Sequence, residues 1–506
     1  TLSASPEALA DAQDFMCLAE GSDWFWWYGT DQDSGQDSYF DEGYRALLKG
    51  VYTSLGVEYP AFLDIPILQA QPIKPDVAVS GEMTPAIDGV FGEDEWAKAA
   101  IFEGEEGDPI QAFGYGMDQE KLHLRFDLAD PLGSSRRILV YLNAPGDQNK
   151  LMVGLDGESL LVSPASRVIE FMAGNNPVTL YKTDGASWAP EQQLEAELAV
   201  DTKTVELSLA KSVLGEVSAG SIVPVQIVIT GAQPFQFKAV APLGIQFFSF
   251  EPLTSVLLIE DPEGDDKGPG SYTYPKDGVF KAGDFDLTSF EVSSDGANIY
   301  FSFALKAPIT NGWNSASGFS VQTFDVYIDK DPGAGTGNRM LLPGRNAALA
   351  DGNGWDIALW IEGWTPQVLI PGEDPLGQPV KHTEATSALK VYVDTGRNAV
   401  IASLPVEFFG EGSPTEWSYA AVLLGQEGYP AEGVWRVRDV NQNAEAYRFG
   451  GAPLDKNHTR IIDVALPAAY TPDQATVLGT YPSSAGPIDS MVPDDFAIIP
   501  LIAAAN

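Results

Sequence analysis

Two stretches of this 506-residue chain run through the same succession of short motifs in the same order, and this repetition limits the fold more than any other feature. IDGVFGEDEW, from Ile87, is echoed by DGVFKAGDFD, from Asp277; EKLHLRFDLADP by ANIYFSFALKAP; RILVYLNAPGD by FDVYIDKDPGAG; DTKTVELSLAKSVLG by DTGRNAVIASLPVEFFG. Only the connections differ in length. Within the motifs apolar residues tend to fall at every second position, as in LHLRFDL (122–128), ILVYLNAPG (138–146), VELSL (205–209) and VPVQIVIT (223–230). A period of two sends successive side chains to opposite faces of a strand. Fifty glycines and thirty-six prolines supply the turns such strands need. The chain is too long for one core, so the repeats are expected to form tandem antiparallel β-sandwiches, residues 78–250 and 255–506, each closing its own core.

The amino-terminal region has another period. Ser5 followed by Pro6 marks a helix start, and the pattern runs to a stop at Gly21. Phe40, Tyr44, Leu47, Leu48, Val51, Tyr52 and Leu55 recur at helical spacing, with Ser38 as the expected cap and Gly56 as the stop. Residues 1–68 therefore read as a helical segment. Residues 59–85 hold five prolines and little periodicity, which places a linker at 69–77.

Seventy-one acidic against twenty-nine basic residues give a net charge of -42. Such a surface repels nucleic acid, which is excluded as a partner. The acids are dispersed, as on a surface suited to a salty or extracellular medium, and they leave room for bound Ca²⁺. The single cysteine, Cys17, permits no internal disulfide, and its apolar setting FMCLA predicts an inert buried thiol. No apolar run reaches the length of a membrane span.

Residues 19–29, AEGSDWFWWYG, concentrate three tryptophans around Phe25 behind an acid. Indoles of this density suggest a wall for a ligand such as a sugar, with Asp23 orienting a hydroxyl and Trp24, Trp26 and Trp27 as candidate substrate-binding residues. If the run is extended, the three indoles cannot all face one way. The run, continued as DQDSGQDSYFDEGYRALLKGVYTSLG, resembles the last sequence region of glycoside hydrolase family 57 enzymes of the amylopullulanase and α-amylase type. The resemblance implies a retaining glycosidase whose two carboxyl groups, about 5 to 5.5 Å apart, lie on a (β/α) barrel ahead of this region. Residues 1–68 are then expected to be the tail of a truncated catalytic domain. The catalytic pair is not found in this chain, no catalytic residue is assigned, and the chain is expected to be inactive alone.

A second resemblance rests on IEDPEGDDKGPGSYTYPKDGVFKAGDFDLTSFEV, NGWNSASGFSVQTFDVYIDKDPGAGTG, LLPGRNA and GWDIALWIEGW. These are similar to the C-terminal domain of bacterial glucodextranase and to the wider DOMON and family 9 carbohydrate-binding sandwiches. The first repeat carries only IDGVFGEDEW and the strand pattern. The fold class implied is mainly β: two tandem immunoglobulin-like or DOMON-like sandwiches behind a short helical segment.

In GWDIALWIEGW, a period of two sends Ile357, Leu359 and Ile361 to a core face and Asp356, Trp360, Glu362 and Trp364 to the other. Indoles stack on sugar rings and carboxylates accept hydroxyls, so these four are candidate glucan ligands. Covering of the tryptophans by loops of the sandwich or by the neighbouring domain is the alternative. Trp313, Trp417 and Trp435 read as packing residues. Asp261, Glu263, Asp265 and Asp266 lie within six positions of a glycine-rich loop and are candidate Ca²⁺ ligands, or caps of an Asx-rich turn. Asp325 and Asp329 share a strand face without marking a glycosidase. His382 and His458 lack a second ligand at metal spacing.

The expected function is the non-catalytic C-terminal portion of an extracellular or cell-surface enzyme degrading α-glucan. Its sandwiches would bind starch-like polysaccharide or hold the enzyme at the cell envelope, with the preceding catalytic barrel of the parent chain as partner. The alternative is a structural spacer or envelope tether without a sugar site. A DOMON-type haem domain would need His123 as ligand; no haem or nucleotide is expected.

Overall fold

Alternation along the strands builds a core between two sheets in each half of the chain. The computed structural model describes residues 4–28, 36–133, 135–173, 177–231, 234–248, 253–372, 378–429 and 434–504, and for Phe25, Trp26 and Trp27 the backbone alone. The chain divides into two units, Thr1–Phe250 and Glu251–Asn506.

The first unit contains β1 (Ala100–Glu103), β2 (Ile110–Met117), β3 (Lys121–Leu128), β4 (Arg137–Leu142), β5 (Arg167–Met172), β6 (Val178–Thr183), β7 (Trp188–Leu194), β8 (Ala196–Asp201), β9 (Thr204–Ala210), β10 (Ile222–Ile229), β11 (Phe235–Gln236) and β12 (Leu243–Gln246). A five-stranded sheet runs β1-β2-β3-β9-β8, and a seven-stranded sheet runs β11-β10-β4-β5-β6-β7 with β12 also on β10. Leu122, Leu124, Phe126 and Leu128 of β3 meet Ile138, Val140 and Leu142 of β4 in one buried cluster. The opposite face of β3 is buried as well. Arg125 stacks over Phe91, 4.1 Å away, and Trp96 donates its indole N–H to the buried Glu206 at 2.9 Å. His123 sits on this outer face, its Nε2 3.2 Å from Asp118 Oδ2.

Three helices precede this sandwich within the same unit: α1 (Pro6–Ala19), α2 (Ser22–Trp27) and α3 (Asp37–Ser54). Ser5 caps α1 by accepting from the Ala8 N–H, as its place before a proline predicts. Packing of α1 on α3 relies on Gly50, where a β-carbon would sit 2.8 Å from the Phe15 ring. Helix α3 starts one residue before Ser38, and no side chain caps it. Its apolar residues are half-buried, and Asp41 is its buried anchor, accepting from Arg45 and from the Ile67 N–H. Cys17, expected inside, is exposed, because it lies on the solvent side of α1.

The second unit contains β13 (Thr254–Glu260), β14 (Leu287–Ser294), β15 (Asn298–Leu305), β16 (Gln322–Asp329), β17 (Ile357–Glu362), β18 (Gln367–Ile370), β19 (Val380–Lys381), β20 (Lys390–Asp394), β21 (Ala399–Pro405), β22 (Ser418–Gly425), β23 (Ile461–Val464) and β24 (Ile502–Ala503). Its sheets run β13-β14-β15-β21-β20 and β23-β22-β16-β17-β18-β19, with β24 on β22. Every strand therefore occupies the place of the strand twelve numbers earlier. Phe324, Val326 and Ile328 of β16 and Ile357, Leu359 and Ile361 of β17 fill the core between the sheets. Tyr327, Ala358 and Trp360, on the outer face, belong to a second buried cluster with Leu341, Leu342 and Trp355 from the connection between β16 and β17. Among the described residues, no helix is long and apolar enough to cross a membrane.

Candidate functional site: the outer face of β16 and β17

Antiparallel register sets Thr323 opposite Glu362, Asp325 opposite Trp360 and Tyr327 opposite Ala358. Directly opposed residues share a face, so these side chains lie together on the outer side of the seven-stranded sheet. Asp325 is held by Arg345 in a two-pronged ion pair, Nε to Oδ2 at 2.7 Å and Nη2 to Oδ1 at 2.9 Å, with both side chains fully buried. The same guanidinium lies 5.3 Å from the centre of the Trp360 ring and donates from Nη1 to the Trp435 carbonyl. Trp435 stacks on Trp360, ring centres 5.8 Å apart and planes 25° apart. Beside it, Arg436 takes a left-handed φ of 47° and brings Nη1 to 3.9 Å from Glu362 Oε1. Non-glycine residues rarely adopt that backbone, and such strain collects at binding sites.

Among the described residues, three polar atoms here are buried without a partner: Thr323 Oγ1, Trp360 Nε1 and Glu362 Oε2. The other carboxylate oxygen, Oε1, accepts from the Thr365 hydroxyl at 2.8 Å and from the Thr365 N–H. An indole donor, a hydroxyl and a carboxylate acceptor beside paired indole rings match what a sugar ring offers: apolar faces and a rim of hydroxyls. Trp360 is 5% exposed and Glu362 0%, so the patch lies beneath the Trp435–Arg436 turn.

Of the four residues expected on this face, Trp360 and Glu362 come together. Trp364 lies beyond the strand end, half-buried, and Asp356 precedes the strand, accepting from the Lys330 N–H at 2.8 Å. Thr323 escaped sequence reasoning because strand register is not written in either strand alone, and Arg345 and Arg436 because they lie in connections between strands. Trp435 does pack, as expected, and what it packs on is Trp360. Trp417 is buried in the inter-sheet core, against which Trp313 packs half-buried.

The aromatic run at the amino end is helical, where an extended run had been considered. Trp24 donates its N–H to the Leu18 carbonyl at 2.9 Å and packs 5.8 Å from Phe40 and 5.9 Å from Tyr44, while Asp23 is exposed. The side chains of Trp26 and Trp27 lie outside the described residues.

Among the described residues, two clusters of three carboxylates each form in the second unit. Asp261, Asp265 and Asp463 each place an oxygen within 4.8 Å of the others, as do Asp329, Asp331 and Asp356. Burial, together with repulsion from Asp265 and Asp286, pushes Asp261 up to about 8; burial also pushes Asp265 up to about 6. Asp463 is raised well above the carboxylate range by burial and by those two neighbours. Glu263 and Asp266 stand outside this trio: Glu263 pairs with Lys306 at 3.3 Å, and Asp266 accepts from the Tyr274 hydroxyl. Asp463 was missed because it follows Asp261 by two hundred residues. His382 accepts from the Ala385 N–H at a short helix start, and the ring of His458 faces the Asp455 and Val440 carbonyls.

Residues 256–493 match the family model described as the C-terminal binding-module, SLH-like, of glucodextranase. The match supports a non-catalytic carbohydrate-binding module in the second unit. No curated protein matches the chain. Among solved structures, a marsupial T cell receptor aligns over 68% of this chain and 73% of that one, at 11% identity and a TM-score of 0.16, a likeness too slight to bear on the fold.

Proposed function

We propose that the chain is the non-catalytic C-terminal portion of an extracellular α-glucan-degrading enzyme of the family 57 type, and that its second unit binds glucan on the outer face of β16 and β17. The observation that carries this reading is the unpartnered trio of Thr323, Trp360 and Glu362 under a stacked indole pair, within the module matched to a binding module of glucodextranase. A buried polar group without a partner costs about 1–3 kcal/mol, and sugar hydroxyls supply the missing partners. Binding requires the Trp435–Arg436 turn to lift, which places Trp435 on one face of the ring. The helical segment ahead of the first sandwich is the tail of the catalytic domain, and the first sandwich a companion module.

Affinity electrophoresis of the whole chain in amylopectin tests this. Retarded migration that Glu362→Gln and Trp435→Ala abolish, with melting transitions retained, supports the proposal. The spacer or envelope tether is the second reading, favoured by the closure of Trp360 and Glu362 to solvent. It predicts parental mobility unchanged by amylopectin.

A further inference from the structure

We infer that Asp261, Asp265 and Asp463 form a binding site for a divalent cation, calcium, which ties the loop after β13 to β23. The inference does not depend on the sugar site. Three features of the geometry carry it. The first is spacing: oxygens within 4.8 Å of one another fit a shared ion, since calcium sits about 2.3–2.6 Å from each ligand oxygen. The second is the pattern of unmet bonds. Asp261 is 8% exposed, its Oδ1 accepts from the Leu466 N–H at 2.7 Å, and its Oδ2 has no partner. Oδ1 of Asp265 is likewise buried and unpartnered. The fully buried Asp463 is held in place by the Leu287 and Val464 N–H groups, each at 2.8 Å.

The third feature is the absence of an ion pair, with Lys267 acting on Asp265 only from a distance. Among the described residues, no lysine, arginine or histidine forms an ion pair with any of the three, and nearby Lys306 is engaged by Glu263 and Asp286. Buried carboxylates without a cation must take up protons or take up a metal. An all-oxygen set without histidine or cysteine selects a hard ion, and the half-buried side of Asp265 leaves room for water in its shell. The second acidic trio shares the close spacing but not the unmet bonds: among the described residues, none of Asp329, Asp331 and Asp356 has a buried oxygen without a partner.

Calorimetric titration of the whole, chelator-treated chain with calcium chloride, paired with thermal melting, tests the inference. The expected result is one saturable site and a melting temperature of the second unit that rises with calcium. Asp265→Asn, which removes a charge at a half-buried position, is expected to weaken binding by about tenfold or more and to remove the calcium-dependent rise. Glu263→Gln and Asp331→Asn, controls for diffuse binding to so acidic a chain, are expected to leave both unchanged. A folded parent showing no site and no shift at about 10 mM calcium, above the range of weak extracellular sites, overturns the inference. So does an Asp265→Asn variant that titrates like the parent.

Discussion

The two sandwiches share one strand order and differ on one face. Tyr141 and Tyr327 occupy the same place in the central strand of the long sheet, and each hydroxyl accepts from a backbone N–H of the following connection, Leu155 in one case and Leu342 in the other. Around this common hook the chemistry diverges. The first unit has Arg137, Leu139, Glu170 and Met172 where the second has Thr323, Asp325, Trp360 and Glu362. Arg137 and Glu170 form a surface ion pair at 2.7 Å, and Leu139 packs in a small apolar cluster. In the second unit the same positions carry a fully buried ion pair, an indole stack and three unmet polar atoms. Inward-facing residues set the topology and tolerate little difference; the outward face is where one copy acquired chemistry that the other lacks.

The largest expected effect falls on the buried pair. Asp325→Leu alone leaves Arg345 uncompensated in the interior and is expected to cost about 3–5 kcal/mol of second-unit stability, read by denaturant titration. Asp325→Leu with Arg345→Met, which approaches the first unit's Leu139, is expected to recover most of that loss. A single variant as stable as the parent would break the comparison, because the second face would then be no more committed than the first.

Next in size is the effect of removing the donor that holds Glu206. Trp96→Phe leaves this carboxylate, fully buried on the outer face of the first unit's short sheet, with only the Asp88 and Gly89 N–H groups. The expected loss is about 1–3 kcal/mol, confined to the first unit's melting transition, with amylopectin affinity unchanged. Loss of affinity in this variant would relocate the sugar site.

The smallest effect is a pH dependence that sharpens the contrast between units. Burial lowers the pKa of His123, partly opposed by Asp118, with Lys121 and Glu197 also nearby. The unfolded chain therefore binds this proton more readily than the folded one, so the contribution of His123 is complete above about pH 6.5 and is lost as pH falls through the lower folded value. Melting curves between neutral pH and about pH 5 are expected to show the first unit weakening, and His123→Gln is expected to flatten that slope. An unchanged slope in the variant assigns the dependence to other groups.

What was readable in advance follows from the range of the signal. Strands such as Lys121–Leu128 and Thr204–Ala210 announce themselves by local alternation, and the order-preserved motifs disclose the duplication. Trp360 and Glu362 were found because they share one strand. Thr323 and Asp463 were not, since their partners arrive through register and through the packing of distant segments. The aromatic run carried no period, and its six-residue helix depends on Phe40 and Tyr44 of α3 for its packing. Cover over the outer face of β17 was one of the two readings the sequence left open, and what supplies it, Leu341, Leu342 and Trp355, lies in a connection whose path no local pattern reveals.

Titration calorimetry of the whole chain with maltooligosaccharides, run beside Glu362→Gln and Glu170→Gln, tests the central claim most directly. Saturable binding by the parent, kept in Glu170→Gln and reduced by about tenfold or more in Glu362→Gln, is the result the account predicts, since loss of a charged hydrogen-bonding partner is worth about 1.5–3 kcal/mol. Equal binding in all three proteins would contradict it, as would the absence of binding in the parent.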